Sequence, residues 1–308
     1  MSSVAVTAQT AGPRAAHAAA KRRNRGASKA TRTAQRRPGK LTYTLLTIAL
    51  LISVFPLYFT LLLGSSDSVS IAKSAVPQWL PDASLFTQFR KVIEATQINF
   101  WTALANSLII SVVCALAVVL FSTLAGYSFA KLRFRGRGPL LVFVIATMAV
   151  PVQLGVIPLY ILMTDIGWIG KIQAVILPSL VAAFGVFWMT QYLSEALPYE
   201  LIEAARVDGA SMFRTFWSIA LPAARPAAFM LGLFWFVQMW TMFFWPSIVL
   251  NNTNPTLTLV VQSLQANFFV DYSLVMGGIF LVTLPLLILF AFVGKQLVAG
   301  IMSGAVKG

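Results

Sequence analysis

Charge is scarce in this 308-residue chain: Asp, Glu, Lys and Arg make up 10% of it, hydrophobic residues 58%, and mean hydropathy is +0.80. Soluble domains carry about 25% charged residues, so a single soluble core is excluded and an all-α polytopic membrane protein is predicted. Cysteine and histidine occur once each. Cys114 lies in an apolar run and reads as a buried small hydrophobe, which excludes a disulfide framework. With His17 near the N-terminus, a Cys/His metal site is excluded too. The nine acidic residues are scattered and no nucleophile–base pair is visible, so no residue is assigned a catalytic role. Nor is there a G-x-x-x-x-G-K-[ST] phosphate loop: Gly170–Lys171 and Gly294–Lys295 lack the upstream glycine and the hydroxyl residue. The chain is therefore not expected to be an enzyme or to bind a cofactor.

Basic residues are plentiful by comparison. The formal charge is +14, and ten of the 23 Lys and Arg residues precede residue 41. Residues 1–40 have almost no large apolar side chains and are expected to be a disordered tail. An RNA-binding arm would fit the charge, but the tail has no aromatic side chain to stack on a base. A topology signal fits better, because basic residues accumulate on the inner side of membranes, and no nucleic-acid partner is expected. "RRPGK" before an apolar segment faintly resembles a twin-arginine export signal. However, Leu41 to Leu63 is 23 residues without a charge, against roughly 7–15 for a signal core. This segment reads as a span.

Crossing the hydrocarbon core takes about 20 apolar residues in a helix. Six segments qualify: 41–63, 104–127, 140–163, 172–193, 227–250 and 273–294. An extracytoplasmic loop, 64–101, separates the first from a domain at 102–294, and 295–308 is a tail. Pro226 to Val270 has no charge over 45 residues and is long enough for two spans. Its second half opens with "NNTNPT" and carries Gln262, Gln265 and Asn267, which favours a loop or re-entrant piece outside the lipid. With both termini cytoplasmic, the inner segments hold 19 Lys and Arg and the outer loops four; without the tail the ratio is nine to four. The basic "KLRFRGRG" loop at 131–138 then reads as a topology signal alone.

That orientation places a polar stretch, "ELIEAARVDGASMFRTFWSIALPAARP" at 200–226, in the cytosol within a 194–226 loop. Pro198 suits the opening of a helix, with Glu200 and Glu203 near its positive end. Ala204 and Ala205 keep the helix thin, and Gly209 suits a left-handed ending. Ser211 suits the cap of a second helix, with Phe213, Phe216, Trp217 and Ile219 on its apolar face. Pro222 and Pro226 are expected to break the chain before the fifth span. A helix lying on lipid headgroups would have a basic polar face. Residues 195–208 have Glu195, Glu200, Glu203 and Asp208 against Arg206, which favours docking into a cleft on another protein.

"EAARVDGASMFRTFWSIALP", Glu203 to Pro222, resembles the EAA motif of ABC importer permeases: Glu-Ala-Ala, Asp-Gly-Ala and Ile-x-Leu-Pro occur in order and at the right spacing. "NSLIIS" at 106–111, "AGYSFAKLRFRGRG" at 125–138, "IPLY" at 157–160 and "GAVKG" at 304–308 are similar to the MalG-type permeases of the carbohydrate-uptake family. Only the first 40 residues fall outside the resemblance. It implies a six-span type I importer permease in a bacterial plasma membrane. The implied partners are a second, MalF-like permease, two cytoplasmic ATPase subunits that hold ATP and Mg, and an extracytoplasmic sugar-binding protein. The implied ATPase-coupling residues are Glu203, Ala204, Ala205, Asp208, Gly209, Ala210, Ser211, Leu221 and Pro222. A C-terminal contact between the ATPases would involve Gly304, Val306, Lys307 and Gly308. The third outer loop, about 251–272, resembles one that enters the binding protein's sugar cleft.

Polar residues within spans are few: Asn106, Gln153, Gln191 and Gln238. Gln153, Gln238 and Trp235 are candidates for a sugar's path, since a sugar has polar rims and flatter apolar faces. Against this stands interfacial anchoring or packing by Trp235, Trp240 and Trp245, with Gln238 bonding a neighbouring helix. Pro151, Pro158 and Pro285 are candidate kinks. Two rival functions are an ion-coupled secondary transporter and a non-transporting scaffold. The first expects an ionisable residue at mid-membrane, and none is present. The second would dock partners without any substrate-dependent ATPase stimulation.

Overall fold

The computed structural model describes residues 39–73, 78–95, 98–266 and 270–305, with side chains as far as Gly294 apart from Ala72. The basic tail before Gly39 and the terminal residues Val306, Lys307 and Gly308 lie outside the described residues. Contacts divide the chain at Pro56 into Met1–Pro56 and Leu57–Gly308. Of the first unit, the described part is the beginning of helix α1 (Lys40–Ser65), whose side chains are exposed from Lys40 to Pro56.

Every regular element among the described residues is helical. After α1 come α2 (Ser68–Lys73), α3 (Leu85–Glu94) and α4 (Phe100–Lys131), then α5 (Arg137–Thr147) and α6 (Val156–Asp165). They are followed by α7 (Gln173–Ile176), α8 (Ala183–Ala196), α9 (Tyr199–Val207), α10 (Met212–Thr215) and α11 (Leu221–Trp240). The chain closes with α12 (Phe244–Val249), α13 (Leu257–Gln265) and α14 (Tyr272–Ala305). Among the described residues, five stretches are long and apolar enough to cross a membrane: Lys40–Ser65, Phe100–Lys131, Gln173–Ala196, Met212–Trp240 and Tyr272–Gly294. The α5–α6 pair passes the same test only when its two helices are taken together, bent by 88° at the break; counted as one span it makes a sixth, and otherwise it is a re-entrant loop.

That break corrects the expectation of one kinked helix over 140–163. Pro151 is extended (φ −60°, ψ 125°); it lacks an N–H and steers Val150 away from helical backbone. The chain restarts through a 3-10 turn, Val152–Gly155. Pro158 falls in the first turn of α6, where its missing N–H has no helical partner to lose, so it bends nothing. Pro285 sits within a continuous α14.

A second correction concerns Pro222 and Pro226. They do not separate the polar stretch from the fifth span: Met212–Trp240 runs on as one 29-residue helical unit. A π-helical turn, Phe216–Ala220, precedes Pro222, and this wider winding accommodates the prolines without a break. The span also ends earlier than expected, at Trp240, and residues 241–250 form a turn and the short α12.

The core of the second unit is built on α4, which packs lengthwise against α8 and α11. Small residues set this seam. A Cβ on Gly126 would lie 2.7 Å from Met189 Cβ and 2.8 Å from the Met189 carbonyl carbon, so the backbones touch. Gly64 and Gly277 form the same contact between α1 and α14. Where lipid offers no hydrophobic drive, close backbone packing of this kind holds helices together.

The 251–272 segment is held down over its described part. Asn106 Nδ2 donates to Pro255 O (3.0 Å), Asn99 Nδ2 to Asn252 O (2.8 Å), and Asn254 Nδ2 to Gly170 O (2.9 Å). Ser107 Oγ accepts from Leu257 N at 2.9 Å. Leu257, Val260 and Leu264 of α13 are then buried against α4 and α14. Residues 251–266 thus form a pinned turn and a packed helix. Asn106 serves that architecture.

Candidate functional site

The 194–226 segment forms an elbow whose local structure follows from its residues. Leu197 is buried and extended, Pro198 is extended at the N-cap position, and α9 begins at Tyr199. At the far end Gly209 takes φ +74°. Gly209 N donates to Arg206 O (3.0 Å) and Ala210 N to Ala205 O (2.9 Å), the paired bonds of a Schellman ending that a left-handed glycine permits. Ser211 then caps the next helix, its Oγ accepting from Arg214 N at 3.2 Å.

The elbow is anchored from below by Ile202 and Ala205, both buried. Ile202 joins a cluster with Tyr127, Leu193, Leu197 and Phe216, which unites α4, α8 and the base of α11. The Tyr127 and Phe216 rings lie 5.9 Å apart. Outward it presents Glu203, Ala204, Asp208, Gly209 and Ser211, all exposed. Among the described residues Glu203 and Asp208 have no ion-pair partner. Beside these carboxylates stand exposed apolar side chains: Val207 (88%), Met212 (60%) and Phe213 (67%). The elbow thus combines unpaired carboxylates with exposed apolar side chains. Ala210 is half-buried, and Leu221 and Pro222 lie half-buried at the base of α11. The motif thus splits into an exposed face and the scaffold behind it.

A second feature is a cleft of about 710 Å³ at the broken span, lined by residues of α5, α6, α8, α11 and α12. Trp235 and Gln238 line it together; Gln153 does not, lying exposed in the 3-10 turn. Gln191 is exposed on α8. Trp235 Nε1 is shielded and has no hydrogen-bond partner, whereas Trp245 Nε1 donates to Ala174 O at 2.9 Å. Trp240 Nε1 likewise donates to Val282 O. Of the three tryptophans, Trp235 alone leaves its indole N–H buried and unpaired. Among the described residues no three His, Cys, Asp or Glu groups come together as metal ligands.

Sequence reasoning missed the loop before α5. Lys131 is buried and donates to Ser194 O at 3.0 Å, and Arg133 stacks over the Tyr199 ring at 5.4 Å. The basic run therefore touches the elbow directly.

The family model described as "Binding-protein-dependent transport system inner membrane component" matches residues 122–301, a range that contains both the elbow and the cleft. The chain belongs to this family. Relatives within reach include the arabinooligosaccharides transport system permease protein AraQ of Halalkalibacterium halodurans, 31% identical over 259 residues (83% of this chain, 92% of AraQ). The lactose transport system permease protein LacG of Rhizobium radiobacter is 33% identical over 275 residues (89% and 98%). The diacetylchitobiose uptake system permease protein DasC of Streptomyces coelicolor is 31% identical over 262 residues (83% and 92%). The fold matches the crystal structure of a bacterial ABC transporter involved in the import of the acidic polysaccharide alginate. Its TM-score is 0.69 at 22% identity, covering 83% of this chain and 94% of that one. This family member therefore has the architecture of an ABC importer permease.

Proposed function

We propose that this chain is the permease subunit of an ABC importer that carries a di- or oligosaccharide across a bacterial plasma membrane. The observation that supports it best is the elbow: a rigidly anchored short helix with unpaired carboxylates and bare apolar side chains on its outer face. In this reading Glu203, Ala204, Asp208, Gly209 and Ser211 form the docking surface for an ATPase subunit. Ala205, Ala210, Leu221 and Pro222 hold that surface on the spans. The 19-to-four bias of Lys and Arg puts the elbow and both termini in the cytosol. ATP and Mg are held by two partner ATPases. A second, homologous permease completes the pore, and an extracytoplasmic binding protein delivers the sugar. In this reading Gly304, Val306, Lys307 and Gly308 supply the C-terminal contact with the ATPases.

The saccharide class rests on AraQ, LacG and DasC, whose names specify sugars of two or more units. The cleft suits such a cargo, with the exposed Gln238 side chain and the Trp235 ring set among apolar walls. The test is to purify the chain with its native partners and measure which sugar raises the ATPase rate of the assembly. Stimulation by a di- or oligosaccharide is expected. Transport by the purified chain alone in liposomes, or an active complex lacking any ATP-hydrolysing subunit, would overturn the reading.

A further inference from the structure

The loop between α4 and α5 is built more firmly than a topology signal requires. Arg137 folds back so that its guanidinium donates to Ala130 O and Leu132 O, both at 3.5 Å, at the end of α4. Phe134 packs on Phe129 with ring centroids 5.9 Å apart. Gly136, at φ +82°, turns the chain into α5. From this frame two cations reach across to the elbow. Lys131 is only 7% exposed, and its Nζ donates to the Ser194 carbonyl near the end of α8. Ammonium groups are favoured there, where helix carbonyls lack partners. Arg133 lies over the ring of Tyr199, the first residue of α9. Glu200 and Arg137 are the charges that act on Lys131.

Between Ser194 and Tyr199 lies the join of α8 and α9, where Leu197 and Pro198 leave helical geometry. An extended two-residue join is where a short helix would swing if pushed. The two cations hold it on both sides. We propose that Lys131 and Arg133 are positioning residues that clamp this join, so that α9 moves with α4 instead of hinging alone. Motion applied to the elbow then enters the α4–α8 seam, where backbones touch at Gly126. The inference deepens the proposed function, since it rests on α9 being the surface that receives the ATPase's motion.

The test uses the whole assembly in lipid nanodiscs and proteoliposomes, with Arg133→Ala, Arg133→Lys, Lys131→Met, Tyr199→Leu, Tyr199→Phe and the Arg133→Ala/Tyr199→Leu pair. Amide hydrogen exchange over 200–207 reads the clamp without reference to transport, and sugar moved per ATP hydrolysed reads coupling. Exchange over α9 should rise about 2–5-fold in Arg133→Ala, the scale of an exposed cation–ring contact. In Lys131→Met it should rise roughly tenfold or more, as for a hydrogen bond to a charged group. α13 should be unaffected. The paired variant should be no worse than the worse single variant, and Arg133→Lys and Tyr199→Phe should stay near wild type. Sugar moved per ATP should fall with the rise in exchange.

Unchanged α9 exchange in both Arg133→Ala and Lys131→Met would overturn the clamp. So would raised exchange with unaltered coupling. If exchange rises throughout the chain, the conservative variants decide, and failure of both to restore α9 overturns the proposal. A wild-type assembly that never couples sugar to ATP would instead defeat the proposed function while leaving the exchange result to stand on its own.

Discussion

Replacing Gly209 with valine isolates what the end of α9 contributes. Gly209 has φ +74°, and a Cβ placed on it would meet nothing within 4 Å. The penalty is therefore torsional, with no steric clash. An L-residue in this region costs about 1–2 kcal/mol, and a β-branched one up to about 3 kcal/mol. A penalty near 2 kcal/mol lowers the population of the capped conformation by roughly 30-fold relative to its alternatives. Lost with it are the bonds from Gly209 N to Arg206 O and Ala210 N to Ala205 O, which aim the chain into Ser211. Gly167 supplies the control, since it has φ +67° and equally open space, but lies in the turn after α6. The assay is ATP-driven sugar uptake by reconstituted assemblies, alongside the yield of intact complex. Gly209→Val should lower uptake at least tenfold with the yield retained, Gly209→Asn should keep most of it, and Gly167→Val should transport normally. Wild-type uptake by Gly209→Val, or equal losses in both valine variants, would refute the reasoning.

Other expectations concern packing, buried donors and pH. Trp245→Phe should destabilise the detergent-solubilised protein by about 1–3 kcal/mol, because the Ala174 carbonyl loses its partner. Trp235→Phe, which removes a donor already unpaired, should change thermal stability by under about 0.5 kcal/mol; equal losses in both would contradict the assignment. Gly126→Val drives a side chain into the Met189 backbone and should abolish monodisperse protein in size-exclusion chromatography, whereas Gly138→Val, with open space around it, should not. The backbone N–H groups of Ser70 and Val69 hold the Asp67 carboxyl below its ordinary value. A depressed carboxylate supports α2 above its unfolded-chain pKa and loses that support as pH falls through the lowered folded value. Hydrogen exchange at neutral pH should show α2 less protected in Asp67→Ala than in wild type.

Local signals carried furthest in the sequence. Gly209 and Ser211 act on backbone groups within three or four residues, so chemistry and position are both legible from the text. The prolines were less so. Pro151 marks a break, but its 88° angle depends on how Val152–Gly155 rewinds. Pro222 looked like another break because a π turn that accommodates it has no composition of its own. Long-range partners were hidden altogether. Arg133 counted as one positive charge among several until the fold brought Tyr199 beneath it. Asn106 counted among the few polar residues within spans, yet its amide is spent on the carbonyl of Pro255, 149 residues away. Trp235 and Gln238 share a cleft because they lie one helical turn apart on α11, whereas Gln153 missed it by falling in a 3-10 turn.

The unbroken run from Met212 to Trp240 makes one stiff beam of what looked like two parts. Its foot carries the exposed Met212 and Phe213 of the elbow, and its head carries Trp235 and Gln238 beside the cleft. At 1.5 Å per residue the two ends stand roughly 39 Å apart, so a tilt of about 5° about the foot sweeps Gln238 through roughly 3 Å. That is about one hydrogen-bond length, the scale on which a contact at Gln238 is made or released.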